Sequence, residues 1–438
     1  MRFQHYRLSC PVCGCTQEDD GFLLECKTEN HPAALLESDY FSKRFDPDPS
    51  AEGIYRYRQW LPVRRTLRGT SRTITYRSDT LSRITRLPHL WIAFNGYWPE
   101  KGAALETATF KELEAYVVLS RLPEDCKKVL VVASAGNTAA AFAWMCSQNK
   151  IPCLIVMPTS GLPSMQFAAP LDACVKVVAL SGSADYYDAI QFANRISSQE
   201  GFLSEGGVKN IARRDGLGTT LLAAVEVIGR LPGYYFQAIG SGSGAIAVHE
   251  GARRLIVDGR FGQKLPQQML SQNLPFAPIY RSWKAGQREL IELSSEEAKG
   301  QIRQIVAHVL SNQKPPYSLA GGVFDILTES WGDMLAVENA EALEAIEIFK
   351  KAEGITLHPA AGVAFASLLK AAQNGSIDQK QDVLLHITGG WQTGEQDQQR
   401  VPAAPALKFD LQEVDLEKAL DQILTSFSSG LETQYLNQ

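Results

Sequence analysis

From residue 129 onward the apolar positions follow two rhythms. Val129–Ala133, Cys153–Met157, Val175–Leu180 and Tyr234–Ile239 are short, largely continuous apolar blocks, and Gln268–Gln272 and Val383–Ile387 read as further buried strands. A strand wetted on one face alternates polar and apolar residues; blocks that do not alternate predict strands covered on both faces. Between them lie helical segments: the Ala-rich Thr138–Gln148, an amphipathic stretch from Ala184 to about Ser198, Gly218–Leu231, and a helix from Ala245. This alternation predicts an α/β fold of parallel-type sheets with helices on both faces. In such sheets ligands bind at the carboxyl ends of the strands. A polar stretch follows Gly394, then a helix from Glu413 to Ser426. Residues 46–90, rich in Arg, Tyr and Thr, show neither rhythm and receive no assignment. There is no internal repeat and no low-complexity tract.

Length changes the picture. At 438 residues the chain exceeds the roughly 250–300 that one core serves, so two lobes are expected. The expected organisation is a Cys-containing head at 1–45, a large domain from 46–140 and 230–438, and a small mobile domain at 141–229. A net charge of −5 without a basic lobe argues against nucleic acid as a partner. The best apolar run, Leu217–Leu231, is broken by Glu226 and Arg230 and falls short of the roughly 18 residues of a membrane span. Arg2 and Arg7 are not followed by an apolar core, so no signal peptide is expected and a cytoplasmic protein is. A homo-oligomer is the expected assembly.

Eight cysteines are present, four of them (Cys10, Cys13, Cys15, Cys26) within the first thirty residues. Cys10, Cys13, Cys26 and His31 have a spacing like a zinc ribbon, but the second pair, Cys26-x4-His31, is not tight. The expectation is therefore no metal. Cys126, Cys146, Cys153 and Cys174 lie in apolar segments and read as reduced buried thiols.

Four loops carry candidate chemistry, each with a plain structural alternative. Lys111 follows Thr107-Ala108-Thr109-Phe110 at a helix start, where the dipole disfavours its cation and suits an amine used as nucleophile or base. The alternative is a solvated surface lysine. Ser134-Ala135-Gly136-Asn137-Thr138 joins a strand to a helix, where backbone N–H groups and hydroxyls can hold a carboxylate or phosphate; a capped turn is the alternative. Gly240-Ser241-Gly242-Ser243-Gly244 forms a nest of donors suited to a phosphate. A dinucleotide fingerprint is its rival, which needs an acidic residue after the next strand where Gln272 and Asn273 stand. Thr388 ends the strand Val383–Ile387, where a hydroxyl can meet a ring nitrogen or simply make a turn. Lys209, Arg213 and Arg214 lie ahead of the expected helix Gly218–Leu231 and could hold a doubly charged anion. A basic turn neutralised in part by Asp215 is the alternative.

In order and kind these loops resemble fold-type-II pyridoxal-phosphate enzymes, the group of threonine synthase and cysteine synthase. The resemblance narrows to the cysteate synthase family through Gly96–Ala103, Phe110–Ala115, Asn210–Thr219, Asp258–Gly262, Leu270–Phe276 and Pro315–Tyr317. It implies a tryptophan-synthase-β-like fold with pyridoxal 5'-phosphate on Lys111 in the large domain. Asn137 and Thr388 would contact the ring, and Gly240, Ser241, Gly242, Ser243 and Gly244 the phosphate. Ser134, Ala135, Gly136, Thr138, Arg213 and Arg214 are the expected substrate contacts. The implied reaction joins sulfite to O-phosphoserine with loss of phosphate, early in coenzyme M biosynthesis. The runner-up is a threonine synthase acting on O-phosphohomoserine; a catalytically idle binding protein of the same fold is the third reading.

Overall fold

The computed structural model describes residues 5–28, 30–134, 136–394 and 400–435. Along the chain come β1 (Tyr6–Ser9), β2 (Thr16–Gln17), β3 (Glu37–Tyr40), β4 (Ile74–Arg77), β5 (Leu90–Phe94), α1 (Lys111–Arg121), β6 (Val129–Ala133), α2 (Asn137–Asn149), β7 (Cys153–Pro158), β8 (Val175–Ser181), α3 (Tyr186–Ser197) and β9 (Phe202–Ser204). They are followed by α4 (Ile211–Ile228), β10 (Tyr234–Ala238), α5 (Ser243–Asp258), β11 (Gln267–Asn273), β12 (Asp333–Val337), α6 (Pro359–Gln373), β13 (Val383–Ile387), β14 (Leu407–Asp410) and α7 (Leu416–Tyr435).

The chain forms two units. The first takes residues 1–66, 70–122 and 207–396, and the second takes 67–69, 123–206 and 397–438. These bounds differ from the expected ones. Only 141–206 of the expected small domain lies in the second unit, while 207–229 belongs to the first. The reason is packing: most of that stretch is α4, which lies against α1 and α5. The Cys-containing head is part of the first unit.

In the first unit a six-stranded sheet runs β12–β11–β10–β13–β5–β4, parallel except for β4 at the edge. Alternate side chains of a strand face opposite ways. One set, Phe236, Ala238, Val383, Leu385, Ile387, Ile92 and Phe94, packs with α6 residues such as Val363 and Leu368 in a single buried core. Each Val, Leu, Ile or Phe among them contributes about 1.5–3 kcal/mol when fully buried. The other set faces away from that core and includes the polar Tyr235, Gln237 and His386 alongside apolar residues such as Leu384 and Leu270. The first unit also holds the antiparallel head sheet, β2–β1–β3.

The second unit has a five-stranded, wholly parallel sheet, β9–β6–β7–β8–β14. Its core joins Val156, Leu180, Phe192 and Phe202 to Phe409, Ile423 and Phe427 from the C-terminal segment. Among the described residues no helix is long and apolar enough to cross a membrane.

Candidate active site

The lysine comes first. A tight approach precedes α1: Ala108 sits in the left-handed region at φ 53°, a conformation that disfavours any side chain with a Cβ. It is held there by Ala108 N–H to the Leu105 carbonyl (2.9 Å) and by its own carbonyl, which accepts Gly390 N–H (3.0 Å). Phe110 N–H donates to the Thr388 carbonyl at 2.9 Å, and Thr109 forms a bridge with Gly389. The segment leading into Lys111 is thus stitched to the segment leaving β13, which places Lys111 and Thr388 together.

The glycine loop joins them from the neighbouring strand. It leaves the carboxyl end of β10, which pairs with β13 through Tyr234–Val383, Tyr235–Leu384 and Phe236–Leu385. Gly242, at φ 81°, precedes α5 in a conformation suited to glycine, and the Ser243 N–H and hydroxyl lie 3.3 and 3.0 Å from the Ser241 hydroxyl. A Cβ at Gly244 would fall 2.7 Å from Gln237 Nε2 and 3.0 Å from Phe110 Cε2. The residue before Lys111 therefore fills the space that a larger residue at 244 would take.

Lys111 is not a solvated lysine. Its side chain is 17% exposed and its Nζ lies 3.0 Å from Glu114 Oε2, while Arg213 Nη1 lies 2.9 Å from Glu114 Oε1. Glu114 is fully buried between the two cations, and its carboxylate offsets the repulsion that the helix start imposes on Lys111. Glu112, one residue from Lys111, accepts from the Thr107 hydroxyl (2.7 Å) and N–H and from Tyr116 (2.8 Å). Burial pushes its carboxyl up to about 7, and those donors oppose the rise.

Beneath these segments runs a buried polar chain. Asn95 Nδ2 donates to His386 Nε2 at 2.8 Å, so His386 Nδ1 carries the proton toward the Tyr235 oxygen (2.7 Å), and Tyr235 donates to Gln237 Oε1 (2.8 Å). Burial pushes the His386 imidazole down to about 3, leaving it neutral. Phe110 packs edge-on against its ring at 5.2 Å. Glu114, His386, Asn95, Tyr235 and Gln237 were outside the expected set. The three-residue spacing of Lys111 and Glu114 on one helix was the available signal for the first. A lone polar residue inside the apolar block Val383–Ile387 was the signal for His386.

The basic segment needs correction. Its residues are not ahead of a helix but within one: α4 starts at Ile211, where the Asn210 side chain accepts Ala212 N–H. Arg213 reaches the site through Glu114. Arg214 does not: Nε donates to Glu250 (2.9 Å) and the two terminal nitrogens to the Val208 and Leu36 carbonyls. With every nitrogen spent on protein and the side chain fully buried, Arg214 is a structural cation. Asp215 is taken by Ser38, Tyr40 and Arg254, and Lys209 by Glu25.

The Ser134–Thr138 loop belongs to the second unit and is described within it. It follows β6, with Gly136 N–H donating to the Ser134 hydroxyl at 3.2 Å. Asn137 is the first residue of α2 and is half-buried, Thr138 is buried, and Ala135 lies outside the described residues.

Pyridoxal phosphate fits the first unit's residues on structural grounds. They provide a lysine amine, a glycine-lined nest of donors at the start of a long helix, and a hydroxyl at Thr388 that has no hydrogen-bond partner among the described residues. A cavity of about 240 Å³ elsewhere in this unit, lined by residues such as Tyr40, Trp60 and Arg254, contains none of these groups.

Residues 95–389 match the family model described as pyridoxal-phosphate dependent enzyme. The chain is 43% identical over 387 residues to a cysteate synthase of Methanosarcina barkeri (strain Fusaro / DSM 804), covering 88% of this chain and 92% of that one. It is 45% identical to a cysteate synthase of Methanocorpusculum labreanum (strain ATCC 43576 / DSM 4855 / Z), with the same coverage. Among solved structures it is similar in fold to maize serine racemase (TM-score 0.55, 16% identity, 73% of this chain and 89% of that one). A fungal L-serine ammonia-lyase from Rhizomucor miehei is similar in the same sense (TM-score 0.57, 14% identity, 74% and 96%).

Proposed function

We propose, because the chain belongs to the pyridoxal-phosphate dependent enzymes and within them to the cysteate synthase family, that it converts O-phospho-L-serine and sulfite into L-cysteate and phosphate. The observation that carries the reading is Glu114, buried between Lys111 and Arg213. It sets a guanidinium suited to a phosphate beside the amine that does the proton chemistry.

When bound, the cofactor supplies an electron sink that lets a proton leave the substrate Cα and a group leave Cβ. Lys111 Nζ anchors the cofactor and takes the Cα proton, with Glu114 orienting the amine. Gly240–Gly244 hold the cofactor phosphate with backbone N–H groups and the Ser241 and Ser243 hydroxyls. Thr388 offers the ring a neutral hydroxyl in place of a carboxylate. A neutral partner such as Thr388 would not hold a proton on the ring nitrogen, so the sink it would leave is mild and would favour elimination and replacement over transamination. Asn137 would take the other ring contact, as the family resemblance implies. Ser134, Ala135, Gly136 and Thr138 bind the substrate carboxylate, with backbone donors at the start of α2 favouring an anion. Arg213 binds the leaving phosphate. A homo-oligomer remains the proposed assembly, checked by light scattering.

The deciding assay offers O-phosphoserine with sulfite, sulfide or water, and then O-phosphohomoserine, following phosphate release and identifying the product. Cysteate formed from phosphoserine only with sulfite is the expected result. Threonine from phosphohomoserine, with no cysteate, would replace the reading with a threonine synthase.

A further inference from the structure

The head was expected to hold no metal because its Cys–His pairs are unequally spaced in sequence. The fold removes that objection. Cys10 directly follows β1, and the turn it opens is closed by Cys10 N–H to the Cys15 carbonyl (3.0 Å) and Gly14 N–H to the Cys10 carbonyl (2.9 Å), with Gly14 at φ 70°. This turn returns Cys13 beside Cys10. The loop between β2 and β3 brings Cys26 and His31 to the same place. One ligand atom from each of Cys10, Cys13, Cys26 and His31 lies within 4.8 Å of all the others. Cys13 Sγ and Cys26 Sγ are 3.7 Å apart, and Cys10 Sγ and His31 Nε2 are 3.9 Å apart. Zinc held tetrahedrally at about 2.3 Å from sulfur and 2.0–2.1 Å from nitrogen gives donor–donor edges of about 3.5–3.8 Å.

We propose that the head binds one zinc ion through the thiolates of Cys10, Cys13 and Cys26 and the Nε2 of His31. The surroundings of the ligands support this independently of their spacing. His31 Nδ1 lies 2.7 Å from the Pro32 carbonyl, an acceptor, so the ring proton sits on Nδ1 and the Nε2 lone pair is directed at the three sulfurs. Thr28 N–H donates to Cys26 Sγ at 3.4 Å, a contact that favours the thiolate. Three thiolates and a neutral imidazole form a donor set that suits zinc, and binding releases the three thiol protons to solvent. Cys15 is the discriminating neighbour. Its sulfur is 3.2 Å from Cys26 Sγ and 3.4 Å from the Thr28 hydroxyl, yet it stands outside the four-residue group.

The ion also has a mechanical role. The loop between Cys15 and Cys26 supplies Asp19, which pairs with Arg121 Nε (2.9 Å) and Nη2 (2.6 Å), and the Leu23 carbonyl, which accepts from Nη2 (2.7 Å). Arg121 Nη1 donates to Asn210 Oδ1 (2.8 Å), the cap of the helix that carries Arg213. Zinc closes the far end of that clamp.

The test is elemental analysis of the purified holoenzyme, expressed with zinc and kept reduced. About one zinc per chain is expected. A chelator with a coloured readout of released zinc checks the count on the unaltered protein. Replacing zinc by cobalt should give visible d–d bands at longer wavelength than the cofactor absorbs, reporting tetrahedral thiolate ligation. Cys13→Ser and Cys26→Ser should each lower zinc content at least about tenfold, while Cys15→Ser keeps it. A zinc-free wild type overturns the proposal, as does a Cys15–Cys26 disulfide or zinc lost in Cys15→Ser but kept in Cys26→Ser. If the serine variants do not fold, the wild-type count and the cobalt spectrum decide alone.

Discussion

Arg213 donates to Glu114 beside Lys111, whereas Arg214, next in the chain, is consumed by Glu250 and two backbone carbonyls. Their replacements should therefore fail differently. Arg213→Ala should raise KM for phosphoserine about 10- to 100-fold, the effect of losing a charge-assisted contact of about 1.5–3 kcal/mol, and should disturb cofactor absorbance much less. Arg214→Ala should leave KM near its original value and cost about 3 kcal/mol of stability, the lower end for breaking a buried pair. Burial already pushes Glu250 up to about 7, so it can take a proton once its partner is gone. Steady-state kinetics and urea unfolding separate the two outcomes; a KM effect at Arg214 alone would move the substrate contact there. Glu112 makes a pH prediction. Its folded-state carboxyl, raised from 4.5 to about 7, binds more protons than the unfolded one between those values. Its contribution to stability is thus fully present below about pH 4.5 and is lost as pH rises through 7, a difference of order 1–3 kcal/mol. Glu112→Gln should flatten the unfolding free energy across that window; an unchanged slope would show that Glu112 does not carry it. That the Lys111 segment, the glycine loop and Thr388 lie side by side was legible because small residues, a hydroxyl and an amine stand where strands end and helices begin. Arg214 was misread because a guanidinium in sequence does not show which acceptors will surround it.

At the scale of elements, the strands were the most readable. Val383–Ile387 and Val129–Ala133 have the observed bounds because a strand buried on both faces reads as a nearly continuous apolar run, His386 being the one polar exception in the first. The helix α4 starts seven residues before the expected Gly218, with Gly216 and Gly218 inside it, where they allow contact. A Cβ at Gly216 would lie 2.3 Å from the Leu113 carbonyl of α1, and one at Gly218 would lie 3.0 Å from the Ala247 carbonyl of α5. Close approach of helix backbones overrode propensity. Gly216→Ala should therefore destabilise the protein by about 1–3 kcal/mol, as overpacking does, although alanine is the better helix former. Because Lys111 and Glu114 ride on α1, the same variant should also lower kcat. Thermal unfolding and turnover measured together check this, and a stabilised, fully active variant would refute the packing account. Residues 46–90 gave no signal since β4 is an edge strand and the rest is largely irregular.

The whole molecule is assembled from discontinuous stretches, and this was the least legible level. The expected small domain was one segment, 141–229, because local patterns carry no information on which distant strand completes a sheet. In the structure β14 pairs with β8 through Val178–Leu407 to Ser181–Asp410, and α7 supplies Ile423 and Phe427 to the second unit's core. A chain ending at Gly394 should lose that strand and those anchors, and the second unit should become sensitive to protease; full resistance of 123–206 in the shortened protein would show that this unit folds without them. The same arrangement orders events at the ribosome. Strand β8 is translated more than two hundred residues before its neighbour β14, so every nascent chain carries a bare, apolar sheet edge for most of its synthesis. Premature termination before Leu407 leaves that edge open, and the product is then a substrate for chaperones or aggregation rather than a slightly shorter enzyme.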